Sequence, residues 1–215
     1  MMYKTVIFDL DGTLLNTLGD LAASTNAALA AFGMPARTVD EVRRFVGNGI
    51  GLLIRRAVPA GTPEDLIARV LDAFKTHYAD HALDTTALYP QAEAVLHALK
   101  RMGVQTAVVS NKADFAVQTL HETFFRGLIA RSIGERPGCR RKPEADMVEL
   151  ALSMLGADKE TAVYVGDSEV DAQTAKNAGM ACVLVDWGFR DRSVLEPYGF
   201  PVVSTADALL AEIIR

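Results

Sequence analysis

Two aspartates stand two positions apart in Asp9-Leu10-Asp11-Gly12-Thr13, directly after the apolar run Thr5-Val6-Ile7-Phe8. At the end of a regular strand that spacing puts both carboxylates on one face, and Gly12 lets the chain turn sharply behind them. A second acidic group, Gly166-Asp167-Ser168-Glu169-Val170-Asp171, follows another apolar run. Between the two groups lies Ser110-Asn111, a hydroxyl and an amide where a strand ends and a helix is expected, a setting that with free helix N–H groups makes an anion site. Lys142-Pro143 places a cation ahead of a further expected helix, with Pro143 suited to its first position. Taken singly, Ser168 and Asp171 read as a capping box, Ser110-Asn111 as a cap and Lys142 as a solvated charge. Taken as a set, they describe an oxygen-rich site with groups for an anion beside its carboxylates.

The elements that must position these residues are legible from periodicity. Thr5-Val6-Ile7-Phe8, Gln105-Thr106-Ala107-Val108-Val109, Leu128-Ile129-Ala130, Ala162-Val163-Tyr164-Val165 and Cys182-Val183-Leu184-Val185 read as buried parallel strands, nearly all apolar because helices cover both faces. Helices are expected near 91–102, 113–125, 144–155 and 169–178, which makes a doubly wound, Rossmann-like α/β sheet. The motif loops then fall on one rim, where such sheets bind ligands. Residues 17–84 break the alternation. Leu18, Leu21, Ala22, Thr25, Ala28, Leu29 and Phe32 keep a helical period, as do Leu66, Ile67, Val70, Leu71, Phe74 and Tyr78, so four or so helices form an insert with its own apolar faces. The domains expected are a split core of 1–16 and 85–215 and a helical-bundle insert of 17–84.

The 215 residues are 50% hydrophobic and 23% charged, which excludes disorder and collagen-like repeats. Lys+Arg number 22 against 27 Asp+Glu, a net charge of -5 that argues against a nucleic-acid partner, because affinity for phosphate backbones rests on clustered cations. No apolar run reaches membrane-spanning length and the start lacks a signal-peptide pattern, so a cytoplasmic protein without a membrane partner is expected. Two cysteines, Cys139 and Cys182, form no disulfide framework. Arg140 and Arg141 beside Cys139 are expected to lower its thiol pKa.

The four motifs Asp9-x-Asp11-Gly12-Thr13, Ser110-Asn111, Lys142-Pro143 and Gly166-Asp167-Ser168-x-x-Asp171 resemble those of the haloacid dehalogenase-like superfamily, and the insert resembles its type 1 cap. The resemblance covers essentially the whole chain. With Asp9, Asp167 and Asp171 ionised, Asp11 protonated, Lys142 charged and a phosphate monoester bound, the site carries about -4, which is untenable without a divalent ion. Magnesium is the cofactor expected. The resemblance implies as its ligands the Asp9 and Asp167 side chains and the Asp11 main-chain carbonyl, with Asp171 in support. It further implies a phosphoric monoester hydrolase in which Asp9 attacks phosphorus to form an aspartyl-phosphate. Asp11 serves as acid and then as base, and Ser110, Asn111, Lys142 and main-chain N–H groups near Leu10 and Gly12 hold the phosphate oxygens.

The resemblance also sorts the chemistries. Dehalogenases of this superfamily lack the second Asp, and phosphomutase relatives carry a His just past the first motif, where this chain has Asn16-Thr17-Leu18-Gly19-Asp20-Leu21-Ala22. Hydrolysis is therefore favoured, with a phosphomutase and a phospho-accepting regulatory protein as the alternatives. Phe45-Val46-Gly47-Asn48-Gly49 and Asp186-Trp187-Gly188-Phe189-Arg190 look like phosphoglycolate phosphatases, whereas Asn16 and the missing second Pro after Lys142-Pro143-Glu144-Ala145 depart from them. Gly47-Asn48-Gly49 is a candidate substrate loop of the cap, and a small phosphorylated metabolite is the partner expected, in a monomer or a homodimer. His77 and His81, spaced i, i+4, are read as packing within the insert rather than as a metal pair.

Overall fold

The computed structural model describes residues 2–215, so Met1, the first residue of the expected core, lies outside the described residues. Its strands are β1 (Thr5–Phe8), β2 (Leu15–Asn16), β3 (Ala87–Leu88), β4 (Gln105–Ala113), β5 (Arg131–Glu135), β6 (Ala162–Gly166), β7 (Ala181–Val185) and β8 (Val202–Val203). Its α-helices are α1 (Leu18–Ala31), α2 (Val39–Phe45), α3 (Ile50–Ala57), α4 (Glu64–His81), α5 (Pro90–Arg101), α6 (Asp114–Leu120), α7 (Asp146–Leu155), α8 (Glu169–Ala178), α9 (Arg192–Leu195) and α10 (Ala206–Ile213).

Six strands form a parallel sheet in the order β5-β4-β1-β6-β7-β8, and β2 pairs with β3 in a separate two-stranded sheet. Successive side chains of a strand point to opposite faces. Val6, Phe8, Val108, Val163, Val165, Val183 and Val185 accordingly pack into one apolar cluster, with Leu96 and Leu99 of α5 and Ile213 of α10. Ile7, Ala107, Val109, Tyr164, Cys182 and Leu184 pack into a second, with Met147 and Val148 of α7 and Ala172 of α8. Because β1 lies between β4 and β6, the chain leaves the sheet centre in both directions there. That is the topological switch point where open α/β sheets form a ligand crevice at the strands' carboxyl ends.

Four expectations need correction. The third strand is Arg131–Glu135 rather than Leu128-Ile129-Ala130: the N–H groups of Leu128 and Ile129 both donate to Phe125 O, at 2.8 and 3.0 Å, closing a turn instead. β5 is an edge strand, so it tolerates polar residues that apolar-run reading passes over. β4 runs on to Ala113, so Ser110 and Asn111 lie within its last turn of extended chain and the helix opens later, at Asp114. Pro143 stands in a turn ahead of α7, which starts at Asp146, and is joined to Lys142 by a cis peptide bond. β8 and α10 add a sixth strand and a closing helix beyond the five strands expected.

The chain divides into two compact units, one of Leu88–Arg215 with the segment up to Leu15, the other Asn16–Ala87. The second is all helix apart from its ends, with α1 to α4 around Leu21, Leu29, Leu53, Ile54, Val70 and Phe74. Its two ends are tied by Asp20, which is buried and accepts from the Thr85 and Thr86 N–H groups, each at 2.9 Å, and from both hydroxyls. Among the described residues no helix is long and apolar enough to cross a membrane.

Candidate active site

The first acidic motif is built by a tight loop after β1. Asp9 N–H still donates to Val165 O of β6 at 2.8 Å, then the Leu10 carbonyl accepts from Leu14 and Leu15 N–H at 3.0 Å each. Gly12 has φ 91°, open to glycine and costly for other residues. Its N–H donates to Leu15 O at 2.9 Å. In this conformation it is engaged in the turn, so a phosphate oxygen would have to share or replace that bond.

Lys142 is 3% exposed, far from the solvated cation that a lone lysine suggests. Its Nζ donates to Asp9 Oδ1 at 2.6 Å, to Asp171 Oδ1 at 2.8 Å and to the Tyr164 hydroxyl at 3.1 Å. Tyr164 donates to Asp171 Oδ1 at 3.0 Å, while Asp171 Oδ2 accepts from the N–H and hydroxyl of Ser168 at 3.1 and 2.6 Å. The capping box of α8 thus does two jobs: it starts the helix and it aims the other oxygen of Asp171 at Lys142. Asn111 turns both ends of its amide to the Lys142 backbone, at 2.8 and 2.9 Å, so it positions that lysine in place of facing an anion directly. Tyr164, hidden within an apolar strand, is a site residue the sequence reading missed.

Asp167 is held from two sides. Its Oδ1 accepts from the Thr13 hydroxyl at 3.2 Å and its Oδ2 from Phe189 N–H at 2.7 Å. Trp187 Nε1 donates to Thr13 O at 3.1 Å, so Asp186-Trp187-Gly188-Phe189-Arg190 packs against the first motif. A Cβ at Gly188 would overlap both the Gly12 carbonyl oxygen and Asp167 Oδ2, which explains a glycine there.

A second buried cation was not anticipated. Lys112 lies two residues past Ser110 on the extended end of β4, and both are buried, at 9% and 2% exposure. Ser110 Oγ accepts from Lys112 N–H at 3.2 Å, and Lys112 Nζ pairs with Asp11 Oδ1 at 2.9 Å. Nothing adjacent in sequence marks this lysine as covered; its position after Ser110-Asn111 is the one available signal.

Burial and mutual repulsion act together on the carboxylates of this cluster. Burial, then the Asp171 charge, pushes the Asp9 carboxyl up to about 7 against the pull of Lys142. Asp167 is driven well above the ordinary carboxylate range by burial, then by Asp171 and Asp9. Burial works against the Lys142 ammonium, yet Asp171 and Asp9 hold its pKa well above normal. Asp9, Asp167 and Asp171 each bring an oxygen within 4.8 Å of the others, and this is the metal-capable cluster among the described residues. A hard divalent cation taking carboxylate oxygens fits such a donor set. Asp171, with both oxygens engaged by Lys142, Tyr164 and Ser168, fits a supporting place.

The remaining candidates lie elsewhere. Gly47, Asn48 and Gly49 have φ of 125°, 61° and 85°, three consecutive left-handed residues between α2 and α3 of the helical unit. His77 bonds Ser24 Oγ at 3.0 Å and stacks on His81, which pairs with Asp84 at 2.7 Å. Cys139 corrects another expectation: burial, then Asp146, raises its thiol pKa despite Arg136 and Arg140.

A protein-family model described as haloacid dehalogenase-like hydrolase matches residues 6–185. The chain is 34% identical to the phosphoglycolate phosphatase of Pseudomonas syringae pv. tomato over 99% of its own length and 77% of that protein's. It is 36% identical to the phosphoglycolate phosphatase of Mesorhizobium japonicum, covering 99% and 96% of the two chains. The crystal structure of a Lactobacillus delbrueckii subsp. bulgaricus protein, provisionally named a phosphoglycolate phosphatase, superposes with a TM-score of 0.95 at 35% identity, covering 100% of this chain and 99% of that one. Motifs spread over four loops meet at one sheet switch point, and a family model spans the core and the insert together; the chain belongs to the haloacid dehalogenase-like hydrolases.

Proposed function

We infer that the protein is a magnesium-dependent phosphatase that hydrolyses a small phosphate monoester, with phosphoglycolate the first candidate, through an aspartyl-phosphate on Asp9. The observation that carries this reading is the convergence of Asp9, Asp11, Asp167 and Lys142 at the β4-β1-β6 carboxyl ends, in a cluster short of positive charge. The names of full-length relatives support the substrate. Asp9 and Asp167 side chains with the Asp11 carbonyl would hold the cation, which when bound supplies charge neutralisation between carboxylates and phosphate.

Lys142 holds the Asp9 carboxylate in place, and an Asp9 oxygen attacks phosphorus in line as the P–O bond to the leaving alcohol breaks. Asp11 gives its proton to the departing oxygen. It then takes a proton from the water that attacks the aspartyl-phosphate, releasing phosphate and regenerating the Asp9 carboxylate. Ser110 and Lys142 face the charge that shifts onto the phosphoryl oxygens.

The test is phosphate release from phosphoglycolate with magnesium, compared between the wild type and Asp9→Asn. The wild type should turn over repeatedly and the variant should be inactive with its fold intact. Undiminished turnover by the variant would refute the role of Asp9. Single-turnover labelling of Asp9 without further release would point to a regulatory phospho-acceptor instead.

A further inference from the structure

Lys112 is a buried ammonium to which the proposed phosphoryl transfer assigns no role. Lys142 already stands on the nucleophile's side, 2.6 Å from Asp9 Oδ1. Lys112 stands on the other side of the reaction, 2.9 Å from Asp11 Oδ1, the carboxyl that must reach the oxygen of the leaving alcohol. A cation within hydrogen-bond distance of the acid is thereby a neighbour of whatever the leaving oxygen is attached to. Burying a lysine is costly unless an anion answers it, and here the side chain is 6% exposed. Asp11 is an anion that answers it here, so the carboxyl needed as the acid is one that the ammonium engages.

We propose that Lys112 reads a carboxylate on the leaving group of the substrate, one carbon from the ester oxygen. This rests on the phosphatase reading and on Asp11 as its acid. In the ligand-free arrangement Asp11 answers Lys112. When a carboxylated ester binds, its carboxylate takes the ammonium and leaves the Asp11 carboxyl to the ester oxygen. An ester lacking that carboxylate leaves the Lys112–Asp11 pair in place and is the poorer substrate. Ser110 supports the arrangement from behind, since its hydroxyl accepts from the Lys112 N–H at 3.2 Å and fixes where the side chain departs from β4. The two lysines therefore divide the work, with Lys142 serving the nucleophile and Lys112 serving specificity.

The test compares phosphoglycolate with ethyl phosphate, which keeps two carbons and the phosphate but has no carboxylate, for the wild type, Lys112→Met and Lys112→Arg with magnesium. The wild type should prefer phosphoglycolate. Lys112→Met should lose about 10- to 100-fold in kcat/KM on phosphoglycolate, mainly through KM, the size of a lost charge-assisted hydrogen bond, so that the preference for phosphoglycolate over ethyl phosphate collapses by at least about 10-fold. Lys112→Arg should keep most of the preference. An equal loss on both esters would show that Lys112 serves Asp11 alone and would overturn the proposal. So would a wild type with no preference, although the phosphatase reading would then stand. A wild type inactive on both esters would remove that reading and this proposal with it. If Lys112→Met does not fold by circular dichroism, the wild-type preference and its retention in Lys112→Arg decide.

Discussion

Lys142 Nζ and Asp9 Oδ1 lie 2.6 Å apart although their residues are separated by 133 positions, and the pair is almost wholly shielded from water. Removing one partner of such a pair leaves an unanswered buried charge. Lys142→Met should destabilise the metal-free fold by about 3–5 kcal/mol in denaturant unfolding and lower kcat by at least about 100-fold. Saturating magnesium should restore part of the stability and little of the rate.

Proton and cation should compete at Asp9. Its carboxyl is raised from 3.8 to about 7, first by burial and then by Asp171. Between those values the folded chain keeps a proton that the unfolded chain has released. This group's contribution to stability is therefore full below about pH 4 and lost as pH rises through about 7. Magnesium affinity measured by calorimetry should rise from about pH 6 to pH 8, with protons released to the buffer. Asp9→Asn should bind magnesium weakly, and that pH dependence should disappear.

Gly188→Ala tests the support of Asp167. The added methyl would meet backbone at Gly12 and the carboxylate of Asp167, neither of which can withdraw easily. A stability loss of about 1–3 kcal/mol is expected, as for other overpacked sites. Weaker magnesium binding should accompany it, measured alongside thermal unfolding.

Asp20 should matter to the helical unit as Lys142 does to the core. Asp20→Ala removes the acceptor of four hydrogen bonds from Thr85 and Thr86. A loss of about 3 kcal/mol is expected, with hydrogen exchange accelerated at Thr85 and Thr86 before it changes in β1.

The rim of the site was readable because its parts are local. Asp9, Asp167 and Asp171 each follow a strand whose apolar run is unambiguous, and parallel order brings those ends together. Lys112 and Tyr164 were not, because their meaning is set by distant chain: Lys112 is buried by its approach to Asp11, and Tyr164 looks like strand filler until Lys142 arrives at its hydroxyl. The position of β5 at Arg131–Glu135 has a related cause. Leu128 and Ile129 are apolar because they fill space in a turn, whereas the edge strand beside them needs pairing on one side only. Asn111 illustrates a further limit, since an amide suited to an anion is equally suited to a backbone, and here it binds the main chain of Lys142.

The Asp20 clasp makes the helical unit a closed cassette. One carboxylate on α1 holds Thr85 and Thr86, so entry and exit of the 16–87 segment are fastened together by the segment itself. The entropy of bringing those ends together is met inside the insert, not charged to the sheet that hosts it. Sequence change inside a segment of this kind leaves its two ends joined, because the residues that join them are its own.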